Sequence, residues 1–158
     1  VADSLVEDEA LETARELLAI GGTKLRLPVD VVIADKYEEG AAFQVMPMGP
    51  IPDGWRILDV GPETVESFAK VIASAGTVVW NGPMGVFEFP NFAKGTFGVA
   101  KAVAESKAVS VIGGGDSVSA IQKSGLTDKI THISTGGGAS LEMLEGLVLP
   151  GVAALQDK

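Results

Sequence analysis

The stretch 109–117 reads Val109-Ser110-Val111-Ile112-Gly113-Gly114-Gly115-Asp116-Ser117. Its first four residues are mostly β-branched and apolar, which predicts a buried strand. Three glycines follow, and either Asp116 or Ser117 is then suited to cap a helix that continues from Val118. A strand, a glycine turn and a helix N-terminus together let backbone N–H groups point at an anion.

The same arrangement recurs at residues 130–140, which read Ile130-Thr131-His132-Ile133-Ser134-Thr135-Gly136-Gly137-Gly138-Ala139-Ser140. In a parallel sheet both loops lie at the carboxyl ends of strands, where α/β folds bind ligands. Two such loops in tandem indicate a polyphosphate rather than a single phosphate. Each feature also has a plainer explanation: a triple glycine permits tight strand-to-helix packing, and Asp116, Ser134 and Thr135 serve as helix caps.

The composition describes a globular chain with a sizeable core. The 158 residues suffice for about one ordinary domain, and 46% of them are hydrophobic. A net charge of -9 argues against nucleic acid or an acidic membrane surface as a partner. The absence of Cys excludes disulfide and thiolate metal sites and fits a reducing compartment. No apolar run reaches transmembrane length, and a first residue other than Met, Val1, indicates a cut N-terminus.

Helix and strand patterns alternate along the chain, which predicts an α/β fold with a parallel sheet. The only histidine, His132, falls inside an apolar strand and is expected in the core, and the Trp and Met residues are expected to pack. An irregular connection over 35–54 holds a short strand at 43–46. The remaining expected elements are helices over 4–20, from 61 and over 91–106, strands over 24–34 and 77–80, and an apolar docking tail at 149–155.

Standard nucleotide motifs are missing from the chain. It contains no Gly-Lys pair, so it has no P-loop. The dinucleotide fingerprint fails as well, because Val118 and Leu141 stand where it needs Gly or Ala. These absences argue against a P-loop NTPase and against a dinucleotide or flavin oxidoreductase domain.

Three segments together closely resemble the C-terminal part of phosphoglycerate kinase: Asn81-Gly82-Pro83-Met84-Gly85-Val86-Phe87-Glu88, then 113–117, then 134–142. The patterns at 27–30, 53–55, 59–62 and 149–152 fit the same family. The resemblance implies a Rossmann-like parallel sheet with helices on both faces. It also implies that residues 1–158 are part of the C-terminal nucleotide-binding domain, without the N-terminal substrate domain and the start of the nucleotide domain.

The activity implied by the resemblance is reversible, Mg²⁺-dependent phosphoryl transfer between 1,3-bisphosphoglycerate and ADP, giving 3-phosphoglycerate and ATP. The cofactors implied are ATP or ADP and Mg²⁺. The full-length enzyme is expected to be a monomer in the cytoplasm or an organellar stroma, with no nucleic-acid or membrane partner. This chain alone is expected to be inactive, because the family's phosphate-binding lysines and another glycine loop belong to the missing parts.

The resemblance also assigns residues of the nucleoside part of the site. Asn81 and Glu88 match positions that contact the nucleotide, and Glu88 does so through the ribose hydroxyls. Tyr37 and Leu58 fall near the adenine and ribose pocket. Ile57 departs from the family, since many relatives carry Gly beside the adenine. Read without the resemblance, Glu88 is equally well a solvated surface charge.

The phosphate part of the site falls on the two glycine loops. Gly114, Gly115, Asp116 and Ser117 match the loop and helix end that hold phosphates, with Asp116 on Mg²⁺. The loop whose N–H groups stabilise the transferred phosphoryl group is matched by Gly136, Gly137 and Gly138. The alternative from another class is a non-catalytic module that binds a nucleotide or a phosphometabolite.

Overall fold

A computed structural model of the chain describes residues 2–134 and 136–155, which fall into two compact units. The first unit comprises the chain up to Val71 together with Met84–Val99, and the second comprises Ile72–Pro83 and the chain from Ala100 onward. Within the described ranges no helix is long and apolar enough to cross a membrane. The helices are α1 (Leu11–Gly21), α2 (Pro62–Ser74), α3 (Lys94–Glu105), α4 (Gly115–Ser124), α5 (Gly137–Leu144) and α6 (Pro150–Ala153), and the strands are β1 (Asp30–Ala34), β2 (Phe43–Pro47), β3 (Arg56–Val60), β4 (Thr77–Asn81), β5 (Val109–Gly113) and β6 (His132–Ser134).

The sheet of the first unit is antiparallel, with the strand order β2-β1-β3. The segment that joins the paired strands β1 and β2, residues 35–42, is too short for the helical crossover that a parallel pair needs. The expected short strand over 43–46 is confirmed as β2. The sequence analysis missed β3, so the expectation of parallel pairing throughout the chain is wrong for this unit.

β1 is the centre of the first unit, because all five of its residues are buried. Successive side chains of a strand point to opposite faces. Val31 and Ile33 accordingly pack with Ile51, while Val32 and Ala34 enter a second cluster that contains Phe92. The central strand therefore supplies two cores, one on each face of the sheet.

The start of α2 is fixed by a buried carboxylate on β1. Asp30 accepts hydrogen bonds from the backbone N–H groups of Glu63 at 3.0 Å and Thr64 at 2.7 Å and from the Thr64 hydroxyl at 2.6 Å. Burial raises the pKa of Asp30, but the hydrogen bonds from Thr64 and Glu63 outweigh it and hold that pKa below its ordinary value. Gly61 leaves room for the carboxylate, because a Cβ there would collide with it.

The second unit contains the parallel sheet, in the order β4-β5-β6. Ile112 of β5 and Ile121 of α4 are fully buried in its core. This sheet and the helices that flank it confirm the expected α/β fold of an incomplete domain. Trp80 is buried, as expected for a packing residue.

The expectations for α1 and for His132 are wrong, because their apolar sequence patterns do not correspond to burial in the structure. The helix expected from residue 4 begins only at Leu11, after a 3-10 turn at Asp8–Ala10. No residue of α1 is buried, although its apolar residues recur at helical spacing. His132 is exposed at the start of β6, so its expected core position is wrong. β6 holds three residues and is the edge strand of this sheet among the described residues, which leaves its first side chain open to solvent.

Candidate functional site

Three strand ends lie in register at the carboxyl edge of the parallel sheet. Asn81 pairs with Gly113 across β4 and β5, and Gly113 pairs with Ser134 across β5 and β6. The segments that follow are therefore neighbours on one edge of the second unit. This is the edge at which open α/β sheets bind ligands, so the structure brings Asn81 and both glycine loops together as the sequence predicts.

The N-terminus of α4 is open. The helix begins at Gly115, and its N-cap residue is Gly114, which has a φ of 88° and makes no side-chain capping bond. The expected capping of this helix by Asp116 or Ser117 is wrong, because both residues lie inside its first turn. The first N–H groups of a helix lack acceptors within the helix. They and the helix dipole favour an anion at this position.

The side chain of Ser117 contacts the protein backbone and does not cap the helix as its motif predicts. Its side chain is 1% exposed, and its Oγ accepts a hydrogen bond from the N–H of Gly82 at 2.6 Å. That contact joins the first turn of α4 to the segment that follows β4. Asp116, the neighbouring residue, is exposed. The carboxylate of Asp116 is thus accessible to a ligand, whereas the hydroxyl of Ser117 is already engaged within the protein.

The second glycine loop packs against the first. A Cβ placed at Gly137 would lie 2.6 Å from Cα of Gly114 and 3.0 Å from Oδ1 of Asn81. Gly136 is the N-cap residue of α5, without a side-chain capping bond. The N–H of Gly136 donates to Oγ of Ser134 at 3.3 Å, so Ser134 orders the loop as a local hydrogen-bond partner. Thr135, the other expected cap, lies outside the described residues.

Tyr37 and Leu58, which the resemblance assigns near the adenine and ribose, both line one cavity in the first unit. The cavity has a volume of about 940 Å³ and is also lined by Ile57 and Val86. Leu5 lines it as well, with a fully exposed side chain. Sequence reasoning missed Leu5, because a leucine just before a helix gives no signal that distinguishes it from a core residue.

The segment that carries Leu5 is tied to the edge of β3. The N–H of Asp3 donates to the carbonyl of Trp55 at 3.1 Å, and the Asp3 carboxylate pairs with Arg56 at 3.3 Å. The N–H of Ile57 donates to Oγ of Ser4 at 2.9 Å. Ile57 itself is only partly buried at the cavity wall. Its branched side chain therefore narrows the space beside Leu58 that a glycine would leave open.

Glu88 is exposed in a turn of the first unit. The N–H of Phe87 donates to the carbonyl of Gly85 at 2.9 Å, and that of Phe89 donates to Val86 at 3.1 Å. Glu88 lies two residues beyond Val86, which lines the cavity with Tyr37 and Leu58. The turn therefore presents a carboxylate close in sequence to the cavity wall.

The residues near α4 suit a Mg²⁺ ion that arrives with a nucleotide, and they do not form a closed metal cage. No group of three or more His, Cys, Asp or Glu residues is placed to hold a metal in the described part of the chain. Mg²⁺ commonly uses one or two carboxylates and completes its shell with waters and substrate phosphates. The single exposed carboxylate of Asp116, at a helix N-terminus that favours phosphate, fits that donor set.

The chain is similar to phosphoglycerate kinases throughout its length. The family model described as phosphoglycerate kinase matches residues 1–147. The phosphoglycerate kinase of Rubrobacter xylanophilus is 58% identical over 158 residues, which is 100% of this chain and 40% of that protein. That of Roseiflexus castenholzii is 57% identical over 160 residues, with the same 40% of its length matched. The chain thus spans about two-fifths of the length of these relatives.

Solved structures give the same result for the fold. Phosphoglycerate kinase from Coxiella burnetii superposes with a TM-score of 0.90 at 45% identity, over 97% of this chain and 40% of that one. Phosphoglycerate kinase from Pyrococcus horikoshii gives a TM-score of 0.81 at 40% identity, over 94% of this chain and 36% of that one. In both comparisons nearly the whole chain is matched to about two-fifths of the length of these enzymes.

Proposed function

Because the chain belongs to the phosphoglycerate kinase family, we propose that it supplies the nucleotide-binding part of an enzyme that transfers a phosphoryl group between 1,3-bisphosphoglycerate and ADP. The products are 3-phosphoglycerate and ATP, and the reaction is reversible. Residues 1–158 then form part of the C-terminal domain. The substrate domain belongs to the remaining three-fifths of the enzyme.

One observation carries the proposal: two glycine loops, each opening a helix without a side-chain cap, meet at the carboxyl edge of the parallel sheet. In the proposed roles, Gly114, Gly115 and the first turn of α4 bind nucleotide phosphates through backbone N–H groups. Asp116 holds Mg²⁺, which when bound neutralises charge on the phosphates. Ser117 acts through its bond to Gly82, which keeps the loop in place.

Catalysis is assigned to the second loop. The N–H groups of Gly136, Gly137 and Gly138 are proposed to face the phosphoryl group in transfer and to stabilise the charge that develops on its oxygens. Phosphoryl transfer depends mainly on positioning and charge stabilisation, so this role needs no nucleophilic side chain. Neither glycine loop contains Lys or Arg, and positively charged side chains must come from the rest of the enzyme.

The nucleoside is assigned to the cavity of the first unit. Leu58, Tyr37 and Leu5 offer apolar surface for the adenine. Glu88, two residues beyond the cavity residue Val86, is proposed to accept hydrogen bonds from the ribose hydroxyls. Asn81, which lies beside the glycine loops, is proposed to contact the nucleotide. The whole enzyme is proposed to be a monomer. Its compartment is proposed to be the cytoplasm or a plastid, since relatives include bacterial enzymes and a chloroplastic one from Volvox carteri.

The test uses the full-length enzyme that carries this segment. With 3-phosphoglycerate and MgATP supplied, a coupled assay should detect formation of 1,3-bisphosphoglycerate, and calorimetry should detect ADP binding that strengthens with Mg²⁺. MgADP binding without any turnover would contradict the catalytic role. That outcome would instead support a non-catalytic module that binds a nucleotide or a phosphometabolite.

A further inference from the structure

Thr96, a fully buried threonine on α3, holds the segment that leads to Glu88. Its side chain is 0% exposed. Its Oγ1 accepts hydrogen bonds from the N–H groups of Met84 at 3.1 Å and Gly85 at 3.2 Å. One hydroxyl thus satisfies two consecutive backbone donors in a segment without regular secondary structure. An unsatisfied buried N–H is costly, so this contact restrains the backbone at residues 84 and 85.

Asp59, a buried carboxylate on β3, lies against the same segment at Gly85. Its Oδ2 accepts a hydrogen bond from the N–H of Gly95 at 2.7 Å, in the first turn of α3. Its Oδ1 accepts from the N–H of Val60 at 2.9 Å. A Cβ at Gly85 would collide with Oδ1 of Asp59 and with the carbonyl oxygen of Leu58. The carboxylate therefore fills the space between β3, the start of α3 and the backbone of Gly85.

The restrained backbone leads directly to Glu88. Val86 donates its N–H to the carbonyl of Leu58 at 2.8 Å, which ties the segment to the strand that lines the nucleoside cavity. The turn that contains Glu88 begins at Gly85 and Val86. Glu88 is exposed and lies two residues beyond Val86. The position of its backbone relative to Leu58 depends on the segment that Thr96 and Asp59 contact.

We propose that Thr96 and Asp59 are positioning residues that set the place of Glu88 relative to the cavity wall at Leu58, and thereby the enzyme's recognition of the nucleotide ribose. The inference rests on the proposed function, because it needs Glu88 to accept hydrogen bonds from the ribose. Asp59 is among the residues that line the nucleoside cavity, but neither its side chain nor that of Thr96 is expected to hydrogen-bond the nucleotide. Thr96 is inaccessible, and both carboxylate oxygens of Asp59 are already engaged by the protein.

The experiment compares ADP with 2′-deoxyADP in the full-length enzyme that carries this segment. The ratio of the two dissociation constants reports the hydrogen bond to the 2′-hydroxyl. In the unmodified enzyme this ratio should be roughly tenfold or more, as is usual for a hydrogen bond to a charged group. Thr96→Val keeps the shape of the side chain and removes the acceptor, so the ratio should fall to about twofold or less. Thr96→Ser retains the hydroxyl and should restore the ratio.

Two further variants keep the test decisive. Thr13→Val is the matched control, because Thr13 is an exposed residue of α1, and its ratio should equal that of the unmodified enzyme. Asp59→Asn keeps the side-chain shape and one acceptor, so it provides a second test of the positioning role if Thr96→Val does not fold. Its ratio should fall by at least about threefold, because an amide N–H₂ cannot accept the second hydrogen bond.

The outcomes separate this inference from the function on which it rests. An enzyme that binds MgADP but does not discriminate against 2′-deoxyADP would overturn both the ribose role of Glu88 and the positioning role. Discrimination that persists unchanged in folded Thr96→Val or Asp59→Asn would overturn the positioning role alone. A uniform loss of affinity for both nucleotides, with the ratio preserved, would also overturn it, since that result indicates only general damage to the fold.

Discussion

A methyl group added at Gly138 should separate catalysis from folding. Gly138 is the second residue of α5, and a Cβ built there meets no described atom within 4 Å. Gly138→Ala therefore causes no collision in the protein itself. Alanine is favoured over glycine inside a helix by up to about 1 kcal/mol. The variant should be as stable as the unmodified enzyme or slightly more stable.

The expected loss of activity follows from the proposed approach of the phosphoryl group to the backbone at Gly138. If the N–H groups of 136–138 face the phosphoryl group in transfer, a methyl at Gly138 pushes that group away from them. Losing one such donor in a transition state costs about 3 kcal/mol, or roughly a hundredfold in kcat. Binding of the nucleotide should change little, because its phosphates are assigned to the loop at 114–117. We therefore expect a large fall in kcat with a dissociation constant for MgADP within about threefold of the unmodified value.

The assay measures kcat with saturating 3-phosphoglycerate and MgATP, and calorimetry gives the affinity for MgADP. The matched control is Gly151→Ala in α6, where an added Cβ also meets no described atom within 4 Å and which lies outside both loops. A kcat of Gly138→Ala within threefold of the control would refute the role of the second loop. A loss of MgADP affinity as large as the loss of kcat would move Gly138 from the catalytic set to the binding set.

Three further predictions concern the carboxylates and the sheet edge. Asp116→Ala should lower kcat at least roughly tenfold while changing the free energy of unfolding by about 1 kcal/mol or less, and turnover within twofold at saturating Mg²⁺ would exclude the metal role. Burial raises the pKa of Asp59 from 3.8 to about 6, so between these pH values the folded protein holds a proton that the unfolded chain has released. The free energy of unfolding should therefore fall as pH rises from about 4 to about 6, by about 3 kcal/mol at most. Asp59→Asn should remove that pH dependence in urea titrations. The 158-residue chain alone should be inactive without the rest of the enzyme. It should also be prone to associate, because β4 has an open edge among the described strands, with Val79 45% exposed. Adding the rest of the enzyme as a separate fragment should restore activity, and turnover by the chain alone would contradict the prediction.

The glycine loops and their strands were predictable because their signal is local. A β-branched run followed by glycines fixes where β5 ends and α4 begins, to within one or two residues. The register that aligns Asn81, Gly113 and Ser134 then follows from parallel pairing of strands that end in the same way. The resemblance to the family added the assignment of roles, which geometry alone leaves open for Tyr37 and Leu58.

The antiparallel sheet and the helix caps were not predictable in the same way. β3 reads Arg56-Ile57-Leu58-Asp59-Val60, and its buried Asp59 breaks the apolar pattern of a strand. That carboxylate is tolerated only because Gly95 and Val60 donate to it, and Gly95 belongs to an element far along the chain. Likewise Ser117 looks like a cap until the bond to Gly82 is seen. Long-range hydrogen bonds decide these positions, and no local pattern records them.

The last two residues of Gly136-Gly137-Gly138 show what a sequence motif can and cannot predict. In the sequence Gly137 and Gly138 are equivalent members of one run. In the structure a Cβ at Gly137 would lie 2.8 Å from the backbone N of Gly114, whereas one at Gly138 would meet open space. Gly137 is therefore required by the contact between the loops, with or without a ligand. The packing of the described residues does not require glycine at Gly138, which is why we propose its role for the phosphoryl group and test it with Gly138→Ala.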